Sequence, residues 1–250
     1  MKIDWHDRFA QQARWTRSLR EYLLSKISID PHSRVLEVGC GTGAVLTEFS
    51  QGRAVMIHGL DINYLYCIMA TRNAQDSEIC NGDVFHLPYP TDSFDLVFCH
   101  YFILWLPSPL QAFSEILRVL KPGGSFLIFA EPDYGARIDH PAPLARLGEL
   151  QTISLVRKGA DPSLARQLPA FLGRSGFKHI QYGISGFEVR AGEMPDWWES
   201  EWQMLSYDLQ DFIDTDELAR LKTLDRQSWL DGSRILWVPT FYLSCIKPRE

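Results

Sequence analysis

Four residues at alternate positions, Glu37, Gly39, Gly41 and Gly43, carry the clearest chemical signal in the chain. They end the short apolar run that starts at Val35, and an amphipathic run follows with Val45, Leu46 and Phe49 on one helical face. The pattern reads as strand, tight turn, helix. Glycine lets a ligand lie against the main chain, and the helix start offers free N–H groups and a partial positive charge. The turn is therefore expected to bind a small molecule bearing a carboxylate or a phosphate. Gly39-x-Gly41-x-x-Ala44 also satisfies the loose dinucleotide fingerprint. Glu37 argues against that reading, because a carboxylate repels a pyrophosphate and attracts an ammonium or sulfonium. Asp61 closes the next apolar run, roughly 20 residues beyond the turn, where an acid can accept hydrogen bonds from both hydroxyls of a ribose. The plainer reading of Asp61 is an acid favouring the dipole of the following helix.

An acidic residue followed by GxGxG resembles the first motif of the class I S-adenosylmethionine (SAM) methyltransferases. SAM carries an amino group, a carboxylate and a sulfonium, and no phosphate. A second run, Glu115-Ile116-Leu117-Arg118-Val119-Leu120-Lys121-Pro122-Gly123-Gly124 leading into a strand, is typical of the same family. The resemblance covers roughly residues 33–131 and is nearest to the small-molecule methyltransferases of ubiquinone and menaquinone biosynthesis. It implies an α/β fold: a doubly wound, mostly parallel, Rossmann-like sheet of seven strands, the last antiparallel. It implies one domain, with an N-terminal helical cap over 1–30 and a SAM-binding core over 31–190 and 233–250; residues 193–232, between two strands that the family would join as a hairpin, read as a helical insertion above the active site. The implied cofactor is SAM, leaving as S-adenosylhomocysteine. Its implied contacts are the turn (Glu37, Gly39, Gly41, Gly43), Asp61 with Ile62, Asp83 and Val84 at the adenine, Cys99 and His100 near the methyl group, and Trp15 of the cap.

The positioning elements follow from periodicity. Trp5, Phe9, Ala13, Leu19, Tyr22, Leu23 and Leu24 recur at helical spacing with a break near Trp15-Thr16; the plain reading is an amphipathic helix packed on the core. Gln51-Gly52 is expected to cap the first helix after the turn. Ala54–Asp61 reads as a buried strand, Asn63–Ala74 as a helix and Glu78–Cys80 as a short strand. Phe94–His100 is a continuous apolar strand suited to the centre of a parallel sheet. Its carboxyl end, with Cys99, His100 and Tyr101, should face the ligand. Pro109 opens the next helix. Residues 131–141 read as a polar loop at the same sheet edge, 142–158 and 161–175 as helices, and Phe177–Val189 and Ile235–Ile246 as strands. Between the last two lie Trp197, Trp198, Trp202 and Trp229, which either pack the insertion onto the body or wall an apolar or aromatic substrate pocket.

Methyl transfer from a sulfonium is an in-line displacement helped by a dry, aligned site. A general base is needed only where the acceptor must lose a proton, and His100, Glu131 and Tyr134 are the candidates, with Asp133 and His140 nearby. The histidines share no zinc-type spacing, and no metal is expected. Two rivals remain at this point: a nicotinamide-dependent oxidoreductase on a similar sheet, and a catalytically silent SAM-binding interaction protein.

The 250 residues are 46% hydrophobic and 22% charged, ordinary for a soluble protein. A net charge of -6 argues against broad nucleic-acid binding. The five cysteines show no CxxC spacing and read as free thiols, and the N-terminus lacks a signal-peptide core. No apolar run is long enough to span a bilayer. The expected setting is cytoplasmic, with a small-molecule substrate as partner.

Overall fold

A computed structural model describes residues 3–50, 55–186 and 188–249. Two helices lead the chain, α1 (Trp5–Trp15) and α2 (Arg17–Leu24). Asp4 caps α1 by accepting from the amides of His6 and Asp7. The helices part at Thr16, where the sequence predicts a break.

Alternating strands and helices follow: β1 (Arg34–Val38), α3 (Ala44–Ser50), β2 (Met56–Asp61), α4 (Tyr64–Asn73), β3 (Ser77–Asn81), β4 (Phe94–Cys99), α5 (Pro109–Val119) and β5 (Leu120–Pro132). The predicted Gln51-Gly52 cap and the Ala54 start of the second strand lie outside the described residues. Next come β6 (Ile138–His140), α6 (Ala145–Arg157), α7 (Leu168–Arg174), β7 (Lys178–Ser185), α8 (Trp198–Leu209), α9 (Thr215–Leu230), β8 (Ile235–Trp237) and β9 (Thr240–Ile246).

The main sheet has seven strands in the order β3-β2-β1-β4-β5-β9-β7. Strands β3 to β5 run parallel, and β9 lies antiparallel between β5 and β7. Side chains alternate faces along a strand. On β4, Leu96 and Phe98 join one buried cluster while Val97 and Cys99 join the other, and on β5 Leu127 and Phe129 oppose Phe126 and Ile128. The first cluster is completed by α3 and α4, through Val45, Leu46, Phe49 and Ala70, and the second by α5 and α7, through Phe113, Ile116, Leu168 and Leu172. Burial on both faces is why these strands read as unbroken apolar runs. A third cluster joins α6 to the helices before β8, with Leu147, Trp198, Trp202 and Trp229.

Three expectations are corrected. The strand expected over Ile235–Ile246 is two strands: β8 pairs with β6 in a separate two-stranded sheet, and only β9 enters the main sheet. Pro239 sits at the break, where its missing N–H cannot serve a ladder. The polar loop over 131–141 is partly strand, since β5 runs on to Pro132 and Ile138–His140 forms β6. The helix expected over 161–175 is a 3-10 turn at Leu164–Gln167 followed by α7.

The strand order reverses between β1 and β4. The crevice outside their carboxyl ends is where open α/β sheets bind ligands.

Candidate active site

The glycine turn stands at that crevice. Gly39 and Gly41 have φ of 70° and 52°, in the left-handed region. A Cβ on Gly39 would stand 2.1 Å from the Phe102 ring, so both space and backbone demand glycine there. The amides of Gly39 and Cys40 donate to the carbonyl of Leu60, tying the turn to the end of β2. The Gly41 amide donates to Asp61 Oδ2 at 2.8 Å, and the Asn63 amide donates to Oδ1 at 2.8 Å. Burial raises the pKa of Asp61, against these two bonds, which favour its charge.

The turn opens on a cavity of about 410 Å³. Its walls include Glu37, Gly39, Gly41, Asp61 and Ile62 from the sheet edge, His100 and Phe102 from the end of β4, and Trp5, Phe9 and Gln12 from α1. The last three follow helical spacing, so one face of α1 closes the cavity. Glu37 is 2% exposed, and its Oε2 has no hydrogen-bond partner. Burial drives its pKa far up, the positive charge of Arg20 opposes this, and Asp61 adds to it. A buried carboxylate oxygen left open beside a glycine turn is a socket for a cation.

His100 lines this cavity, with Nε2 2.7 Å from Thr16 Oγ1 at the α1–α2 break. Burial and the neighbouring Arg20 hold the imidazole well below its usual pKa, so it is neutral at physiological pH. Thr16 also accepts from Arg20, at 2.7 Å. The other predicted positions fall elsewhere. Asp83 caps a 3-10 turn by accepting from the Phe85 amide at 2.9 Å, and Val84 belongs to the core beside β4. Cys99 is fully buried in the same cluster. Trp15 walls a second cavity, with the Arg8 guanidinium 5.0 Å above its ring.

Glu131 is fully buried and accepts from the amides of Phe102, Ile103 and Leu104, at 3.3, 3.1 and 2.7 Å. It thereby fixes the backbone behind Phe102. Burial pushes its pKa up to about 7 from an ordinary 4.5. The folded protein holds a proton that the unfolded chain releases, so its stability falls as pH rises from 4.5 to about 7. Glu131→Gln should flatten that slope while lowering stability throughout, since an N–H₂ replaces one acceptor; thermal unfolding at about pH 5 and about pH 7.5 checks both. Asp133 is occupied by Arg166, at 2.7 and 2.6 Å, and His140 is exposed on β6.

Tyr134 walls two further cavities of about 90 and 250 Å³, which also share Arg8, Tyr101, Pro132 and Gln151. Burial raises its phenol to about 12. Tyr101 lines all three cavities and stands at their junction. Its φ is 52°, an uncommon conformation for a side chain of this size. Arg8 on α1 pairs with Glu201 on α8, closing the roof. Of the four tryptophans between 193 and 232, Trp197 walls the 90 Å³ cavity, while Trp198, Trp202 and Trp229 pack in the third cluster. Arg8 and Glu201 are wall residues that the motifs do not reveal, whereas Tyr101 was expected to face the ligand from the end of β4. The positive φ of Tyr101 and the pairing of Arg8 with Glu201 exist only in the folded chain.

A family model described as a methyltransferase domain matches residues 36–128. Sterol 24-C-methyltransferase of Schizosaccharomyces pombe is 35% identical over 114 residues, covering 43% of this chain and 30% of that protein. The chain spans about a third of the length of the sterol methyltransferases it matches. Demethylmenaquinone methyltransferase of Renibacterium salmoninarum is 27% identical over 176 residues, covering 70% and 67% of the two chains. Among solved structures, phosphoethanolamine N-methyltransferase 2 of Haemonchus contortus, in complex with S-adenosyl-L-methionine, superposes with a TM-score of 0.60 at 17% identity, over 93% of this chain and 52% of that one. The matched stretch begins on β1 and ends on β5, and contains the glycine turn, Asp61 and His100. The α1 wall and the roof from α8 lie outside it. Among the described residues no cluster of potential metal ligands occurs, and no described helix is long and apolar enough to cross a membrane.

Proposed function

We propose that the chain is a SAM-dependent methyltransferase acting on a small molecule. The observation that carries this reading is the partnerless Glu37 Oε2, buried at the glycine turn in a 410 Å³ cavity. An ammonium group satisfies it; a pyrophosphate would meet a buried carboxylate, which disfavours a nicotinamide dinucleotide. In this reading Glu37 holds the amino group, the turn amides face the carboxylate, and Asp61 receives the ribose hydroxyls with Ile62 beside them. Asp83 and Val84, expected at the adenine, are not among the residues that line this cavity.

SAM supplies a methyl group on sulfur: the bond from carbon to the acceptor forms as the carbon–sulfur bond breaks, its electron pair staying on sulfur to give S-adenosylhomocysteine. The chain's own contribution is alignment and exclusion of water. Tyr101 sets the border between cofactor and acceptor, and neutral His100 stands beside it to take a proton where the acceptor must lose one. The cavities beyond Tyr101 favour a transferase over a silent binding protein, because they leave room for a second ligand. Aromatic walls support an apolar or aromatic acceptor, and five free thiols support a cytoplasmic setting.

Calorimetry with SAM and with NADH separates the rivals. SAM should bind and NADH should not. Binding an ammonium pulls the Glu37 pKa down from its raised value, so binding releases a proton between the two values and SAM affinity rises with pH across that interval. Titrations in buffers of different ionisation enthalpy read that proton, and Glu37→Gln should abolish it. Binding of NADH in preference to SAM defeats the proposal.

A further inference from the structure

The cavities beyond Tyr101 are lined by charged side chains, yet each charge is already answered from within the chain. Arg8 pairs with Glu201, Arg137 with Asp139, and Lys158 with Asp208. Gln151 joins the last two pairs, accepting from Arg137 at 2.7 Å and donating to Asp208 at 3.1 Å. The Arg137 and Asp139 side chains are 6% and 2% exposed, so neither is free to turn toward a ligand. Arg8 is held three ways, by Glu201, by Gln11 at 3.0 Å and by the Trp15 ring.

An ionised ligand entering this space would stand unpaired in a low-dielectric pocket, or would have to break an existing pair and strand its partner. A neutral polar group meets no such cost. The Arg8–Glu201 pair offers a donor and an acceptor together, which matches a hydroxyl or an amide. Size sets the second limit. The two cavities, about 90 and 250 Å³, each fall below the roughly 300–1,000 Å³ that holds a drug-sized ligand. Tyr101 and Tyr134 line both, and Trp15 and Trp197 line the smaller one.

We propose that the acceptor site selects an uncharged molecule of single-ring size, its ring among Trp15, Trp197 and Tyr134 and its polar group at the Arg8–Glu201 pair. This rests on the methyltransferase reading for which ligand the site holds, but it concerns charge and size, which can be measured without turnover.

Three probes of nearly one shape carry the test: benzyl alcohol, benzoate and benzylammonium. Each is titrated at neutral pH into protein saturated with S-adenosylhomocysteine, and the fluorescence of Trp15 and Trp197 is followed. Benzyl alcohol should bind about tenfold or more tightly than either ion. Glu201→Gln strands Arg8 and should shift the benzoate-to-alcohol ratio about tenfold toward benzoate; Arg8→Met strands Glu201 and should shift the ratio likewise toward benzylammonium. Each ratio is taken within one variant, so partial unfolding cannot imitate it. An ion binding the unaltered protein as tightly as benzyl alcohol overturns the proposal. So does an unchanged ratio in the variants, or failure of all three probes to bind. Failure of S-adenosylhomocysteine itself to bind, seen separately by calorimetry, would instead defeat the methyltransferase reading.

Discussion

Asp225→Ala should lower the stability of the protein by about 3–5 kcal/mol, the largest loss expected from any single carboxylate outside the cofactor cleft. Asp225 is 3% exposed and receives three donors. Trp198 Nε1 and Trp202 Nε1 donate to Oδ2 at 2.6 and 2.8 Å, and Arg234 Nε donates to Oδ1 at 2.5 Å. Arg234 continues to Asp139 at 2.7 Å, and Asp139 to Arg137. Alanine leaves two buried indole N–H groups without acceptors, each a loss of about 1–3 kcal/mol, and leaves Arg234 with one carboxylate in place of two. Asp225→Asn should lose less, because its carbonyl still serves the indoles. Chemical denaturation measures both. Hydrogen exchange should place the loss in α8 and α9. A loss below about 1 kcal/mol for the alanine variant would mean that apolar packing of the tryptophans, and not this carboxylate, holds the two helices.

That network also marks the limit of what the sequence reveals. The turn at Gly39 to Gly43, the apolar run of β4 and the Glu115–Gly124 segment were legible because their signals are local. Alternation, a glycine that must be glycine, and a helix start lie within a few residues of each other. The residues from Glu131 to Pro141 read as a polar loop at the ligand-facing sheet edge because they are rich in charge. In the fold the Arg137 and Asp139 side chains are almost wholly buried, with partners 14 and 95 positions away in Gln151 and Arg234, and Arg234 in turn pairs with Asp225. Charge pattern alone cannot distinguish a solvated face from a satisfied buried network, since the difference lies in distant partners. The same applies to Arg8 and Glu201, joined from α1 to α8. Pro239 was visible, but without the pairing of β8 to β6 nothing placed the end of one sheet and the start of another at that proline.

Asp61→Ala should weaken SAM binding about tenfold or more, for two reasons that add. The first is direct. A ribose that hydrogen-bonds to an ionised acceptor loses both bonds, each worth roughly 1.5–3 kcal/mol. The second is the turn itself. Asp61 Oδ2 holds the Gly41 amide and Oδ1 the Asn63 amide, so the carboxylate fixes the loop against which the ligand lies. Its remaining lone pairs are the ones open to a ribose, since each oxygen accepts a single amide. The two contributions can be parted. Asp61→Asn keeps one acceptor oxygen and replaces the other with a donor, which must face the amide donor of either Gly41 or Asn63, so turn and ribose contacts are lost in part. Its affinity should fall between those of the alanine variant and the unaltered protein. Calorimetric titration with SAM gives the affinities, and thermal unfolding establishes that each variant is folded. A folded Asp61→Ala protein with unchanged SAM affinity would remove the ribose from Asp61 and leave that carboxylate as a brace for the glycine turn alone.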